Sequence, residues 1–296
     1  MSPLLPLLLL LLPFTLASKR GLVQVSSTQS TDDTTLLTSP SSLSWYYNYK
    51  TTPTSSIGIE FVPMLWGPPE GSYNFTAEIT SLLSNSKLSI TSILGFNEPD
   101  MSSSVGGSSI TPSHAAELWK THIQPVASLG VKLGAPGISG SETGKQWLAE
   151  FFTACGNCTV DFIPIHWYGS FEGFASFIGE IRAAYLDKDL WITEFGIPNA
   201  SLEETQKFFN SSVEYLDRLD YVKRYSWFGS FRSDVSNVGP NVAMLDSKGE
   251  LTDIGAWYIG RKATGHKPQS AAGRVVMGWK ELGMALGMVG VVVAFM

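Results

Sequence analysis

The chain has 296 residues, a formal net charge of −6, and 44% hydrophobic and 12% aromatic residues. An acidic balance with few clustered bases excludes nucleic acid and anionic membrane surfaces as partners, and fits a neutral polymer, which needs no charge complementarity. With two cysteines and four histidines there is no familiar zinc spacing, so no metal site and no cofactor are implied; no GxSxG nucleophile elbow occurs either.

Residues 1–18 read as a secretory signal peptide. The apolar run Leu7–Leu12 precedes the small-residue site Thr15-Leu16-Ala17, although the n-region has no charge beyond the amino terminus. The run is too short to span a bilayer, which makes an uncleaved anchor the weaker reading. Lys19-Arg20 then begins the mature chain; a dibasic processing site is the alternative reading of that pair.

Eight apolar, β-rich stretches follow: 21–26 (GLVQVS), 45–49 (WYYNY), 60–66 (EFVPMLW), 92–98 (SILGFNE), 131–137 (VKLGAPG), 160–168 (VDFIPIHWY), 190–195 (LWITEF) and 221–228 (YVKRYSWF). Their near-continuous hydrophobicity suits parallel strands covered on both faces. Helical patterns lie between most of them. Thr111-Pro112 opens one that runs to Gly130 with a break at Pro125, and 171–185 has a 3.6 period through Phe174, Phe177, Ile178 and Ile181. Ser201-Leu-Glu-Glu204 is a capping box for a helix to about Leu219, and 252–259 is a last short helix. Segments 27–42 and 102–109 read as loops. Strands alternating with helices over 19–261 predict one α/β domain, a single (β/α)8 TIM barrel, expected to be monomeric. A doubly wound sheet is the competing fold, but no Gly-rich phosphate loop follows the first strand.

Residues 262–270 read as a stalk and 271–296 as a removed propeptide. Small residues from Ser270, a spacer with Arg274, Lys280 and Glu281, and the apolar tail 282–296 are the parts of a GPI-attachment signal, with Ser270 or a neighbour as the attachment residue. A tail-anchored helix competes with it, but the tail falls short of the roughly 20 apolar residues a span needs. Sequons at Asn74, Asn157, Asn199 and Asn210 agree with a secreted, cell-surface or wall location, where Cys155 and Cys158 are expected to form a disulfide.

Two acids dominate the functional reading. Glu98 ends the fourth strand and Glu194 lies at the end of the seventh, and a barrel brings all C-terminal strand ends to one face. Two carboxyls so placed point to cleavage of a glycosidic bond, one as proton donor and one as nucleophile; capping or ion-pairing acids are the bland alternative. Asn97 is placed to hold a sugar 2-hydroxyl. His166 and Tyr168 share a strand face and are expected in the site, with Tyr168 bonded to Glu194; a structural histidine is the competing role for His166. Trp66, Trp227 and Trp45 are candidate stacking platforms, and Asn48 a hydroxyl contact or a turn former.

WYYNY, EFVPMLWG, ILGFNEPD, LGAPG, CGNCTVDFIPIHWYG, WITEFG and YSWFG occur in this order. The series resembles glycoside hydrolase family 128, fungal-type glucan endo-1,3-β-glucosidases of the clan of retaining barrel enzymes with acids on strands 4 and 7, over about 19–261. The resemblance implies Glu98 as acid/base, Glu194 as nucleophile, and β-1,3-glucan as the substrate of an endo-acting hydrolase. A glucan-binding wall protein with little turnover, a transglycosylase and another linkage preference are the alternatives.

Overall fold

The computed structural model describes residues 18–25, 32–54 and 57–269. The leader over 1–17 and everything from Ser270 onward, the attachment signal included, lie outside the described residues. Among the described residues no helix is long and apolar enough to cross a membrane.

Each of the eight apolar runs overlaps a strand: β1 (Arg20–Val23), β2 (Trp45–Tyr47), β3 (Glu60–Phe61), β4 (Ser92–Ile93), β5 (Lys132–Leu133), β6 (Phe162–Tyr168), β7 (Asp189–Gly196) and β8 (Val222–Trp227). All strand pairs are parallel. They form a six-stranded sheet in the order β3-β2-β1-β8-β7-β6 and a two-stranded sheet, β4-β5. Single parallel bridges, Met64↔Leu94 and Gly134↔Phe162, join β3 to β4 and β5 to β6. Pro63, Pro136 and Pro164 fall in these stretches and have no N–H to donate, so the ladders thin there. The architecture is α/β with a mostly parallel sheet, drawn with interrupted ladders rather than as one continuous eight-stranded closure.

Alternation along the strands divides the apolar side chains into two cores. Val23, Trp45, Tyr47, Val62, Met64, Leu94, Phe162 and Trp191 make the inner one. Its rings are in contact: Phe162 stacks on Trp191 at 3.9 Å and Trp45 lies 5.3 Å from Trp191. Gly21 on β1 is required there, because a Cβ would enter the Trp45 ring. Trp45 is therefore no sugar platform: it is fully buried, and its indole N–H donates to Lys19 O at 3.1 Å. The outer core lies between the opposite strand faces and the helices; Leu22, Tyr46, Ile163, Ile192 and Phe195 meet Phe174 and Phe208 there.

The helices are α1 (Asp32–Leu37), α2 (Phe75–Ser84), α3 (Pro112–Leu118), α4 (Glu142–Cys155), α5 (Phe171–Ala184), α6 (Leu202–Arg218) and α7 (Asp253–Tyr258). The capping box at Ser201 and Glu204 is complete in both directions. After α3 the chain loosens into a π turn, Trp119–Ile123, and tightens into a 3-10 stretch, Gln124–Leu129, that holds Pro125. α1 occupies part of the segment expected to be a loop. A tertiary contact explains it: Asp32, 1% exposed, accepts from Arg232 Nη2 at 2.7 Å and from its Nε at 3.1 Å. Cys155 and Cys158 are disulfide-bonded and close the C-terminal turn of α4. Residues 262–269, read as a stalk, lie against the domain. Thr264 and Gly265 N–H groups donate to Asp253 Oδ1 at 2.8 Å, and Gln269 exchanges hydrogen bonds with Ser233 Oγ at 2.8 and 2.9 Å.

At the start of β3, Glu60 accepts from Arg224 Nη1 at 3.0 Å, Arg224 Nη2 at 2.7 Å and Thr91 Oγ1 at 2.6 Å. The guanidinium also lies 4.4 Å from the Trp191 ring centre. The two side chains are 20% and 15% accessible, so removing one partner strands a mostly desolvated charge. Glu60→Ala is expected to cost about 2–3 kcal/mol, somewhat under the roughly 3–5 kcal/mol of a fully buried pair. Urea denaturation checks this; an unchanged midpoint would show that the pair does not brace the inner core.

Candidate active site

Glu98 sits where β4 runs on past its ladder. Its N–H donates to Gly137 O at 2.7 Å and Gly137 N–H donates back to Phe96 O at 2.8 Å, which fastens this segment to the end of β5. Glu98 has φ +39°, a left-handed conformation that costs a non-glycine residue on the order of 1–3 kcal/mol. Neighbours hold it there. Met101 N–H donates to Glu98 O at 2.9 Å, and Gly107 packs so tightly on the Glu98 and Met101 carbonyls that no Cβ fits. Asp100 accepts from Ser139 N–H at 3.1 Å and from the Ser139 hydroxyl, clamping the turn to the β5 side.

Glu194 reaches the same face through a β-bulge. Ile165 pairs with Ile192 and the next residue, His166, pairs with Glu194, so Thr193 is the inserted residue. On the other edge Tyr225 pairs with Ile192 and Trp227 with Phe195, leaving Ser226 opposite both Thr193 and Glu194. Ile192 and Phe195 both belong to the outer core. Strict alternation from Ile192 would turn Glu194 outward as well, and the extra residue turns it inward.

The two acids meet across His166. Glu98, His166 and Glu194 each present a ligand-type atom within 4.8 Å of the others. His166 Nδ1 is 2.8 Å from Glu98 Oε1 and 3.6 Å from Glu194 Oε2. The His166 side chain is 1% accessible, Glu98 15% and Glu194 7%. Tyr168 OH donates to Glu194 Oε2 at 2.6 Å; Tyr49 OH donates to Oε1 at 2.6 Å, with Tyr47 OH 3.4 Å from the same oxygen. No arginine contacts either acid among the described residues.

Burial, opposed by the His166 hydrogen bond and charge and reinforced by the Glu194 and Asp100 charges, holds the Glu98 carboxyl above its usual range. Burial works against a charged His166, but the Glu194 charge and the Glu98 hydrogen bond and charge outweigh it and push the imidazole up to about 9. Burial and the Glu194 charge push Tyr47, Tyr49 and Tyr168 well above the ordinary phenol value, so they remain donors. A divalent ion at this triad would have to displace the His166–Glu98 bond and the tyrosines. The other three-residue set, Asp246, Glu250 and His266, is likewise paired internally, His266 Nδ1 lying 2.9 Å from Glu250 Oε2.

The remaining candidates divide. Asn97 adjoins the site, 4% exposed; its Nδ2 donates to Gly106 O at 3.2 Å, and its Oδ1 is buried without a hydrogen-bond partner. Trp66 is 37% exposed, and its carbonyl accepts the Asn97 N–H at 2.8 Å. Trp167 points away, packed on Phe174 and Phe177. Trp227 does not face the acids: it is fully buried among Phe195, Phe208 and Phe209, and its indole N–H donates to Val242 O at 2.7 Å. Its neighbour Phe228 faces the site instead, half-buried and 5.6 Å from Tyr168. Asn48 is a turn former; Nδ2 donates to Thr52 O at 3.0 Å and Thr54 Oγ1 at 3.2 Å, and Oδ1 accepts Lys50 N–H at 3.2 Å. That turn delivers Tyr49, which has φ +61°. Tyr47 and Tyr49 escaped the sequence reading although WYYNY places them on one face with Trp45.

Similarity to known proteins agrees with this geometry. The family model described as glycosyl hydrolase catalytic core matches residues 21–258. Alkali-sensitive linkage protein 1 of Schizosaccharomyces pombe is 32% identical over 226 residues, 73% of this chain. The chain spans only 40% of that relative's length. Among solved structures, a subgroup II endo-β-1,3-glucanase of family GH128 from Sorangium cellulosum matches at TM-score 0.66 and 28% identity, over 83% of this chain and 99% of its own. A subgroup III curdlan-specific exo-β-1,3-glucanase of the same family from Blastomyces gilchristii, in complex with glucose, matches at 0.67 and 28%, over 82% and 98%. The chain thus belongs to the glycosyl hydrolase catalytic-core family and, within it, to glycoside hydrolase family 128.

Proposed function

We propose that this glycoside hydrolase is a retaining endo-β-1,3-glucanase. The observation that carries the mechanism is the approach of Glu98 and Glu194, whose carboxylate oxygens lie within 4.8 Å across His166. Retaining glycosidases hold their carboxyls about 5–5.5 Å apart, whereas inverting ones leave roughly 6.5–9.5 Å for a water. Glu98, its carboxyl raised by burial, donates a proton to the glycosidic oxygen as that bond breaks. Glu194, gripped by Tyr49 and Tyr168, attacks the anomeric carbon and forms a glycosyl ester. Glu98, now the base, takes a proton from water, which displaces Glu194 and returns a β product. Asn97, next to the proposed acid, remains the candidate contact for the sugar 2-hydroxyl.

Endo action is supported by the exposed ring of Trp66 beside Asn97, which suits a groove through which a chain continues. We read the bridged sheets as one (β/α)8 barrel. An extracellular location is supported by the disulfide and by the four sequon asparagines, all exposed; the proposed GPI anchor rests on the sequence from Ser270 onward. Asn74 caps α2 through Oδ1, which leaves Nδ2 for a glycan.

Glu98→Gln is expected to lower kcat on laminarin by about 10²–10⁴-fold, the usual worth of a positioned acid, and Glu194→Gln by at least as much. Reducing-sugar release measures both; a Glu194→Gln enzyme at wild-type rate would remove the nucleophile assignment. Proton NMR of the first product should show the β anomer, and an initial α anomer would mean inversion. Laminarihexaose should give a spread of fragments, whereas glucose alone would mean exo action.

The acid role also sets a pH dependence. Activity should fall as pH rises through the elevated Glu98 pKa. His166 lowers that pKa by its hydrogen bond and charge, so His166→Gln should move the basic limb of kcat/KM to higher pH. A shift to lower pH would contradict this. The same histidine links stability to pH. Its pKa rises from 6.5 to about 9 on folding, so its contribution is complete below 6.5 and is lost as pH rises through about 9. Thermal melts across that window should fall for wild type and fall less for His166→Gln.

A further inference from the structure

Among the described residues the large apolar side chains left exposed include Trp66 and Tyr73, each 37% accessible, and both lie on the one loop between β3 and α2. Isolated exposed rings are ordinary on protein surfaces. These two differ because each is hydrogen-bonded to a segment that also carries a residue of the site, Asn97–Glu98 for Trp66 and Tyr49–Thr51 for Tyr73. Trp66 O accepts the Asn97 N–H at 2.8 Å. Tyr73 OH donates to Thr51 Oγ1 at 2.6 Å, and Thr51 Oγ1 donates to Met64 O at 3.4 Å. Thr51 stands two residues beyond Tyr49, whose hydroxyl is on Glu194. From below, Tyr73 N–H donates to Glu70 O at 3.1 Å across a turn in which Gly71 has φ +54°. The tip and the root of the Tyr73 side chain are therefore both held, while part of its ring stays in water.

A ring fixed in this way loses little rotamer freedom when something lies on it, and its hydroxyl is already occupied. What it offers is an apolar face. A pyranose presents axial C–H bonds on its face and hydroxyls around its edge, so a neutral glucan chain continuing from the acids fits a row of such faces. We propose that Tyr73 is a distal subsite residue, stacking a glucosyl unit of the same chain beyond the one at Trp66, so that the loop between β3 and α2 reads chain length. The proposal rests on the β-glucan reading of the cleft. It names binding energy remote from the scissile bond, which acts only on substrates long enough to reach it.

The test compares kcat/KM on laminaritriose and laminarihexaose. Tyr73→Ala should reduce the hexaose-to-triose ratio by about three- to tenfold, the range of one aromatic contact. Tyr73→Phe, which keeps the ring, should retain most of the ratio. A Tyr73→Ala enzyme that loses the same factor on both substrates would show a merely structural role and overturn the subsite, as would a ratio that does not move. Wild-type protein that cleaves neither oligosaccharide would overturn the glucanase reading and the subsite with it, whereas an active wild type with an unmoved ratio overturns the subsite alone.

Discussion

Everything in this site depends on one imidazole held between two carboxylates. Were both ionised, two carboxylates within 4.8 Å would repel by at least about 3–4 kcal/mol at an effective dielectric of 20, and both acids are largely shielded from water. His166 places a positive charge between them, at 2.8 Å from one and 3.6 Å from the other. The asymmetry gives the acids separate environments. Glu98 shares a hydrogen bond with a titratable partner and is the place where a proton can come and go. Glu194 accepts hydrogen bonds from the Tyr49 and Tyr168 hydroxyls, which stay protonated and fix its oxygens in position. The roles proposed for the two acids, proton donor and nucleophile, follow from this difference in hydrogen-bond partners.

That arrangement is built from departures from regular backbone. Glu98 and Tyr49 both adopt positive φ, and Glu194 owes its direction to the extra residue Thr193. Each departure is countered by local fastening: the Asp100–Ser139 clamp and the close approach of Gly107 at Glu98, and the Asn48 turn ahead of Tyr49. Thr193 O accepts the Tyr47 hydroxyl at 2.9 Å and the Ser226 hydroxyl, so the bulge is pinned both from the adjacent strand β8 and from the more distant β2. Strained or irregular backbone concentrated at three functional positions is what a preorganised site requires, since flexible acids would have to be ordered again at each turnover.

The same departures mark where sequence reading stops. Strand identity was legible, because eight apolar runs bounded by turn residues have few other uses, and so was the capping box at Ser201, whose chemistry is local. Side-chain direction was not. The phase of an alternating strand is lost at a bulge, and no residue type announces the bulge at Thr193. Glu194 was chosen for being an acid at a strand end, and it arrives in the cleft only through that insertion. Trp227 was chosen for the same positional reason and arrives in the outer core, one residue out of phase with Phe228. Asn48 misled because turn formation and sugar binding use the same amide. α1 was hidden because the Arg232 contact that holds Asp32 lies two hundred positions along the chain. Tyr47 and Tyr49, by contrast, were legible in WYYNY, and only the weight given to tryptophan over tyrosine obscured them.

Chemistry and specificity therefore reside in different parts of the molecule. The acids, His166 and the tyrosines stand on strand ends braced from the inner core, where Phe162, Trp191 and Trp45 leave little room for change. The residues proposed to meet a longer chain stand on the loop between β3 and α2, with Trp66 hydrogen-bonded to Asn97 and Tyr73 to Thr51. A change in such a loop alters which part of a polymer is gripped without moving the carboxylates. Solved relatives of this fold include both an endo- and an exo-β-1,3-glucanase. The reaction class rests on a pair of acids, whereas the proposed mode of cutting rests on two exposed rings.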